Sequence, residues 1–350
     1  MREDWRQHLA DAGAEFEGEQ LRDYGNAERE RRVAVNGNVI CDLSHRSVLV
    51  VRGTDGTSFL QGQFGNDVRE VTPTRSQISS YSSPKGRAYA VFRIRREDDE
   101  FWLDIHAGQS EMLRKRLAMF ILRAQVTIER ADETRVRFGL SGPNATELIR
   151  ELVPDAPQMV HGVHRHSGLT VVRIPGMTHD RYEFSGDFDS CRRLWEDLGV
   201  RAAPVGPEGW RLLDILAALP VIHPVTSEAF VPQMINLDAL GAISFSKGCY
   251  PGQEVVARMH YLGKLKRRMY RLAIEGQEQP LPGTPVFCED GDPEQADGQI
   301  VDATLHPDGL WAALAVIQTK AIESPLVWGS LEGPRAHVIP LPYELPGANN

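Results

Sequence analysis

Residues 245 to 258 read FSKGCYPGQEVVAR. A cysteine set between Gly248 and the Pro251-Gly252 pair lies in a turn, whereas one that only fills core volume is normally carried on a strand or a helix face. Lys247, two residues before Cys249, supplies a cation that favours thiolate over thiol. The amides of the Gly-Cys-Tyr-Pro-Gly turn can add N–H donors around the sulfur. With a helix or strand opening just behind, Gln253 and Glu254 are held close enough to orient a ligand. The residues alone leave two readings: a reactive, partly exposed thiol, or a small buried hydrophobe in a tight turn.

The rest of the chain narrows the setting. At 350 residues there is material for two or three domains. The 41% hydrophobic and 25% charged composition is that of an ordinary globular protein, and the net charge of -9 argues against a generally nucleic-acid-binding surface. Cys41, Cys191, Cys249 and Cys288 are far apart and form no CxxC pair, so neither a structural metal site nor a disulfide framework is expected. The acidic N-terminus has no apolar h-region, and no stretch approaches the roughly 20 apolar residues that span a bilayer. The expectation is a cytoplasmic chain in a reducing compartment, with no membrane partner.

Trp5, Leu9, Ala12 and Phe16 repeat at helical spacing and predict an amphipathic helix docked on the body. SVLVVRGTDGTSFLQGQ (47 to 63) predicts a strand, Gly53, and a helix capped by Thr54. Two strand-like runs then flank Pro84-Lys85-Gly86, a hairpin turn, followed by FWLDIH and a helix through Met112, Leu113, Leu117, Phe120 and Ile121. The order starts again at 134 to 152, with strand, Gly-Pro turn and helix. LTVVRIP, RYEFS and FDSCRRLWEDL continue it as two strands and a closing helix. Two related α+β units, each with helices on a mostly antiparallel sheet, account for this. From about residue 270, MYRLAI, TPVFC, GQIVDATL, LWAALAVI and AHVIPLP are short apolar runs that predict a small β-barrel or sandwich.

FVPQMINLDALGAISFSKGCYPGQEVVAR resembles the signature of the YgfZ-type folate-binding proteins, relatives of the glycine-cleavage aminomethyltransferase (T-protein). The K-G-C-Y-x-G-Q-E core is matched by Lys247, Gly248, Cys249, Tyr250, Gly252, Gln253 and Glu254, with Pro232-Gln233 and Asn236-Leu237 before it. VLVVRGTDGTSFLQGQFGNDV, SSPKGR (with Ser83 where an Asp is usual) and the closing VIPLPYELP are similar to other family segments, so the resemblance runs from about residue 40 to the C-terminus. It implies an α+β fold: two ferredoxin-like units with mostly antiparallel sheets and a C-terminal β-barrel, around a central cavity that takes tetrahydrofolate. The expected division is an N-terminal helical extension over 1–40, a first folate-binding unit over 41–130 and 205–265, a second unit over 131–204, and the barrel over 266–350.

The resemblance also implies site residues. Trp210 takes the place of a family tryptophan that meets the folate ring, or else is a core tryptophan. Arg46 stands where a second tryptophan is usual; it can stack, meet the glutamate tail, or lie on the surface. Glu183, in the pair Tyr182-Glu183, resembles the carboxylate that holds the pteridine, or is an exposed strand glutamate. Aminomethyltransferases place a carboxylate in the strand after the hairpin turn, whereas RAYAVFRI has Ala90 and Val91 there, so aminomethyl transfer lacks its general acid/base. The implied role is a tetrahydrofolate-binding factor supporting iron–sulfur proteins, tRNA-modifying enzymes among them. Cys249 would be its functional thiol at the cavity rim, with Lys247 beside it and Tyr250, Gln253 and Glu254 bracing the loop or touching the ligand. Whether it catalyses a reaction is left open. Two alternatives remain: a folate-dependent one-carbon transferase or demethylase, and a tRNA-binding accessory module using the basic, tyrosine-bearing stretch RMHYLGKLKRRMYR.

Overall fold

The computed structural model describes residues 1–346. The chain begins with α1 (Glu3–Asp11), a hairpin of β1 (Glu15–Glu17) and β2 (Gln20–Asp23), α2 (Ala27–Asn36) and β3 (Val39–Asp42). The helical repeat read from Trp5 to Phe16 therefore stops early. Gly13 turns the chain at φ +94°, and Phe16 enters β1. Trp5 and Leu9 are buried in the core of the second unit, and Trp5 Nε1–H donates to Asp42 Oδ1 at 2.8 Å. The segment expected as a helical extension thus carries a hairpin between its two helices, and it belongs to the body.

The first unit comprises β4 (Arg46–Arg52), α3 (Gly56–Gln61), β5 (Gln77–Ser82), β6 (Ala88–Glu97), β7 (Glu100–His106), α4 (Ala107–Ala118) and β8 (Thr127–Arg130). Its sheet runs β5-β6-β7-β4-β8, antiparallel throughout. Without the edge strand β5 this is the ferredoxin-like βαββαβ order. Ala90, Phe92 and Ile94 alternate toward the helices, while Arg93 and Arg95 face the other way, as the two-residue period of a strand requires. Thr54 does not cap α3: Asp55 is the N-cap, and its carboxylate accepts from the Gln125 amide. Helix α4 ends before Phe120, which is exposed.

The second unit repeats the plan with β9 (Val136–Gly142), α5 (Ala145–Leu152), β10 (Val163–His166), β11 (Leu169–Ile174), β12 (Asp180–Gly186), α6 (Phe188–Gly199) and β13 (Ala203–Val205). Its sheet order is β10-β11-β12-β9-β3-β13. The seat beside β9 is filled by β3, antiparallel to it, and β13 then pairs parallel to β3. Residues 39–42 and 203–205 therefore lie in one sheet, across the sequence division expected near residues 41 and 205.

Helix α7 (Pro207–Leu216), with proline in its first turn, leads through a long connection to α8 (Gln253–Leu262). The C-terminal strands β14 (Arg267–Ile274), β15 (Pro285–Cys288), β16 (Gly298–Leu305), β17 (Trp311–Gln318), β18 (Leu326–Trp328) and β19 (Arg335–Ile339) close into a barrel. Five of these six were legible as apolar runs; the three-residue β18 was not. No helix among the described residues is long and apolar enough to cross a membrane.

Candidate functional site

The cysteine motif is a loop locked from three sides. Asn236, in a left-handed turn, donates from Nδ2 to the Met269 carbonyl at 2.8 Å, and Gln233 Nε2 donates to the Val256 carbonyl at 2.7 Å. These two residues tie the segment before the loop to β14 and α8. Lys247 is buried, and its Nζ donates to the carbonyls of Gln61, Phe64 and Asn66 at 2.7, 2.6 and 3.1 Å. Burial lowers its ammonium to about 8, while the three carbonyl acceptors work toward the charged form. Tyr250 is buried under Lys247, with Nζ 5.0 Å above its ring. Gln253 opens α8 and returns a side-chain bond to the Lys247 carbonyl at 3.3 Å.

The third lock is a contact between two turns. Gly252 sits at φ +82°, and a Cβ there would come within 2.5 Å of the Ser83 carbonyl and 2.6 Å of Gly86 Cα. Gly86 itself sits at φ +71°, with Val255 where its own Cβ would be. The Ser-Pro-Lys-Gly hairpin turn and the Tyr-Pro-Gly turn thus interlock through their glycines, at a spacing only glycine permits. Replacing Gly252 by alanine should cost about 2–3 kcal/mol, from the left-handed backbone and the displaced Ser83–Gly86 turn. An unchanged urea midpoint would refute the interlock. Cys249 and Glu254 are exposed, and Gly248 has open space around it. The thiol therefore stands outward on a rigid loop, which removes the buried-hydrophobe reading.

A cavity of about 600 Å³ lies elsewhere. Its walls are the β1–β2 hairpin with Arg22, the first sheet with Ile78, Val91 and Arg93, helix α7 with Arg211, and the barrel through Asp302. No residue between His223 and Asp302 lines it, so the loop expected at its rim is not there. Gly86 holds the loop at the turn end of the β5–β6 hairpin. Val91 on the cavity wall is five residues further along the strand, roughly 17 Å at strand rise.

Of the residues the sequence marked, Arg46 lines the cavity and Glu183 stands behind it. Glu183 takes Arg46 Nη1 at 3.0 Å on one oxygen and Arg93 Nη1 on the other. It is neither an exposed strand glutamate nor free to receive a pteridine. It belongs to a polar layer between the two sheets, in which Arg95 and Arg137 flank Asp104 and Arg95 and Arg135 flank Glu97. Burial, the largest influence on Asp104, opposes its ionisation, yet Arg95 and Arg137 outweigh it and hold the carboxyl below its usual range. Five arginines meet three carboxylates in this layer, whereas the cavity's own lining sets Arg22, Arg46, Arg93 and Arg211 against Glu17, Glu208, Asp214 and Asp302. Trp210 is not a ring contact. It is fully buried, packed where a Gly139 side chain would be, with the Arg181 guanidinium 4.4 Å from its ring. Only a glycine at 139 leaves that room, and the pair makes Trp210 a core residue.

The structure adds residues no local spacing marked. His45 lines the cavity, and its buried Nδ1 has no protein partner. Burial, then Arg46 and Arg137, pushes its imidazole down to about 3, so it is neutral at ordinary pH. His106, His223, Arg211 and Asp302 also meet at the cavity, from four separate segments. Among the described residues, no group of three or more His, Cys, Asp or Glu is arranged to hold a metal ion.

Residues 8–206 match the family model described as the GCVT N-terminal domain. The chain belongs to that family. The match begins within α1 and includes β1, β2 and α2, which the motif resemblance had left outside. Among solved structures, the chain is similar to the glycine cleavage system aminomethyltransferase T from Bartonella henselae, with TM-score 0.74 and 16% identity over 98% of this chain and 97% of that one. It thus has the aminomethyltransferase fold, barrel included. It also matches a chain of the heterotetrameric sarcosine oxidase from Corynebacterium sp. U-96 at 15% identity over 56% of this chain and 94% of that one, with a TM-score of 0.35 too low to bear on the fold. In this GCVT-domain chain, the wall position after the hairpin turn is Val91, and Ala90 turns inward to the core.

The basic stretch is smaller on the surface than in the sequence. Arg268 is buried against Asp238 at 2.6 Å, Tyr270 is in the barrel core, and Arg267 is half-buried. Arg258, Tyr261, Lys264 and Lys266 remain exposed. A triple alanine change at 266 to 268 would therefore break a core ion pair as well as a surface.

Proposed function

We propose that this GCVT-domain protein binds tetrahydrofolate in its cavity and acts as a YgfZ-type factor for iron–sulfur enzymes, tRNA-modifying ones among them, without transferring an aminomethyl group. The reading rests first on Cys249: every other residue of its motif but Glu254 and Gly248 is engaged in holding the loop, and the Cys249 thiol is left exposed. A loop built so rigidly around an exposed thiol suits a thiol presented to partner proteins, in a reducing cytoplasm where it stays free.

The cavity residues fit a folate. Its volume is in the range of small-molecule sites, and Ile78, Val91, Leu219 and Val221 give it apolar surface for a flat ring system. His45 Nδ1 and Arg93 Nε are buried wall atoms without protein partners, suited to the polar edge of a pterin. The Arg46 and Arg93 guanidinium groups, which share Glu183, add donors for the acceptor atoms of that edge. When bound, the folate would supply a reduced pterin able to carry a one-carbon unit. Arg46 and His45 would orient it, and Val91 offers no proton to it.

Calorimetric titration with tetrahydrofolate under reducing conditions tests this. Saturable one-to-one binding is expected, weakened about tenfold or more in Arg46→Ala, the scale of one lost charge-assisted bond. No transfer from an aminomethyl donor to the folate should follow. An affinity unchanged in Arg46→Ala would remove the cavity from the reading, and aminomethyl transfer at a steady rate would replace it with the transferase alternative.

A further inference from the structure

The cavity holds a second constellation beside Val91, because the β6–β7 register, with Phe92 against Ile105, sets His106 next to Val91 across the strands. Asp302, on β16 of the barrel, is buried and receives His223 Nε2 at 3.0 Å and Arg211 Nη2 at 2.5 Å. His223 comes from the connection after α7, and Arg211 from α7 itself. His106, which ends β7 in the first sheet, meets His223 edge to face at 4.7 Å between ring centres. Barrel, linking helix and first unit each contribute, so the group exists only where all three meet. All four side chains line the same cavity.

The hydrogen bonds assign the protons. His106 Nδ1 accepts from the Gly108 amide at 3.2 Å, so its ring carries the proton on Nε2. Burial, then His223, pushes His106 down to about 4, so it stays neutral. Asp302 fixes Nε2–H of His223 as the donor toward its carboxylate, which leaves Nδ1 to exchange a proton and the carboxylate to steady the imidazolium. Burial, the largest influence on Asp302, opposes its charge, but His223 and Arg211 outweigh it and keep the carboxyl below its ordinary range. Other charges near the pair are Glu208, bonded to Arg211 at 3.2 Å, and Arg46, the cross-strand partner of His106 in the β4–β7 ladder.

We propose that His223, backed by Asp302 and Arg211 and paired with His106, is the proton-exchanging group of the cavity and serves a nitrogen of the bound reduced pterin. The inference rests on the folate reading above and deepens it, because it restores an acid/base beside the position of the missing carboxylate. The step is a single proton transfer. The Nδ1–H bond of His223 breaks, its electron pair stays on Nδ1, and the proton forms an N–H bond with a lone pair of the pterin amine. Nothing is oxidised or reduced. Because the anionic ligand favours the imidazolium, its binding takes a proton from solvent onto His223.

Titrating the protein with tetrahydrofolate in buffers of different ionisation enthalpy reads that proton directly. Uptake approaching ~1 proton per ligand is expected in the wild type, with affinity falling up to about tenfold per pH unit on the alkaline side. Both effects should vanish in His223→Gln and shrink in Asp302→Asn, at unchanged stoichiometry. A purely structural clamp would alter the thermal midpoint of these variants and leave proton uptake the same. Binding without uptake in the wild type overturns the inference alone, as does equal uptake in a folded His223→Gln. Should His223→Gln fail to fold, the wild-type uptake and Asp302→Asn decide, and full uptake in Asp302→Asn counts against it. Absence of any tetrahydrofolate binding by the wild type overturns this inference and the folate reading together.

Discussion

Glu183→Gln should lower stability by about 3–5 kcal/mol, because it leaves two guanidinium groups facing one neutral amide inside the protein. Arg93 and Glu183 are both more than nine-tenths buried, and Arg46 is about four-fifths so. The layer around them already has more arginine than carboxylate, so the loss of one negative charge has no local remedy. An amide also turns an NH₂ donor toward a guanidinium that can only donate. Glu196→Gln is the control. Its pair with Arg192 is exposed on both sides, and such pairs contribute about 1 kcal/mol or less. Urea midpoints of the two variants separate the cases. A Glu183 variant as stable as the control, but with weakened folate affinity, would return Glu183 to the ligand-binding role the sequence suggested.

Lys247→Met should cost about 3–4 kcal/mol, the second large effect. Methionine fills much of the lysine volume but leaves the carbonyls of Gln61, Phe64 and Asn66 without their shared donor. Bonds from a charged donor contribute roughly 1.5–3 kcal/mol each, and three converging on one ammonium share rather than add. The same variant decides what the lysine is for. If it holds the loop, alkylation of Cys249 changes little while the urea midpoint falls. If its ammonium acts on the sulfur, alkylation slows about tenfold at constant stability.

Much of the fold is legible from short-range pattern. Gly86 and Gly142 punctuate strands as positive-φ residues do, and five barrel strands show as apolar runs. What local pattern hides is partnership. Nothing near Val39–Asp42 says that it pairs with residues a hundred positions on. Trp210 looks like a ring contact until Gly139 is seen beneath it. Arg93 and Arg95 did leave a signal: arginines alternating with Phe92 and Ile94 mark a strand with one apolar and one cationic face. That pattern announces a buried ionic partner, and the same partner explains why Glu183 is unavailable to a ligand. The His106–Arg211–His223–Asp302 group left none, since four separate segments supply it and no two of its members share a recognisable spacing.

The seat that β3 takes beside β9 has a consequence for how the chain comes into being. Val39 to Asp42 leave the ribosome about a hundred residues ahead of Val136, so this ribbon, fully buried in the finished fold, waits unpaired while the entire first unit is synthesised. A polypeptide cut between the two units would orphan it permanently, and each half would carry one open edge meant for the other. The two ferredoxin-like bodies are therefore two in architecture and one in assembly, and the nascent chain is most vulnerable to wrong pairing in the interval before residue 142 emerges.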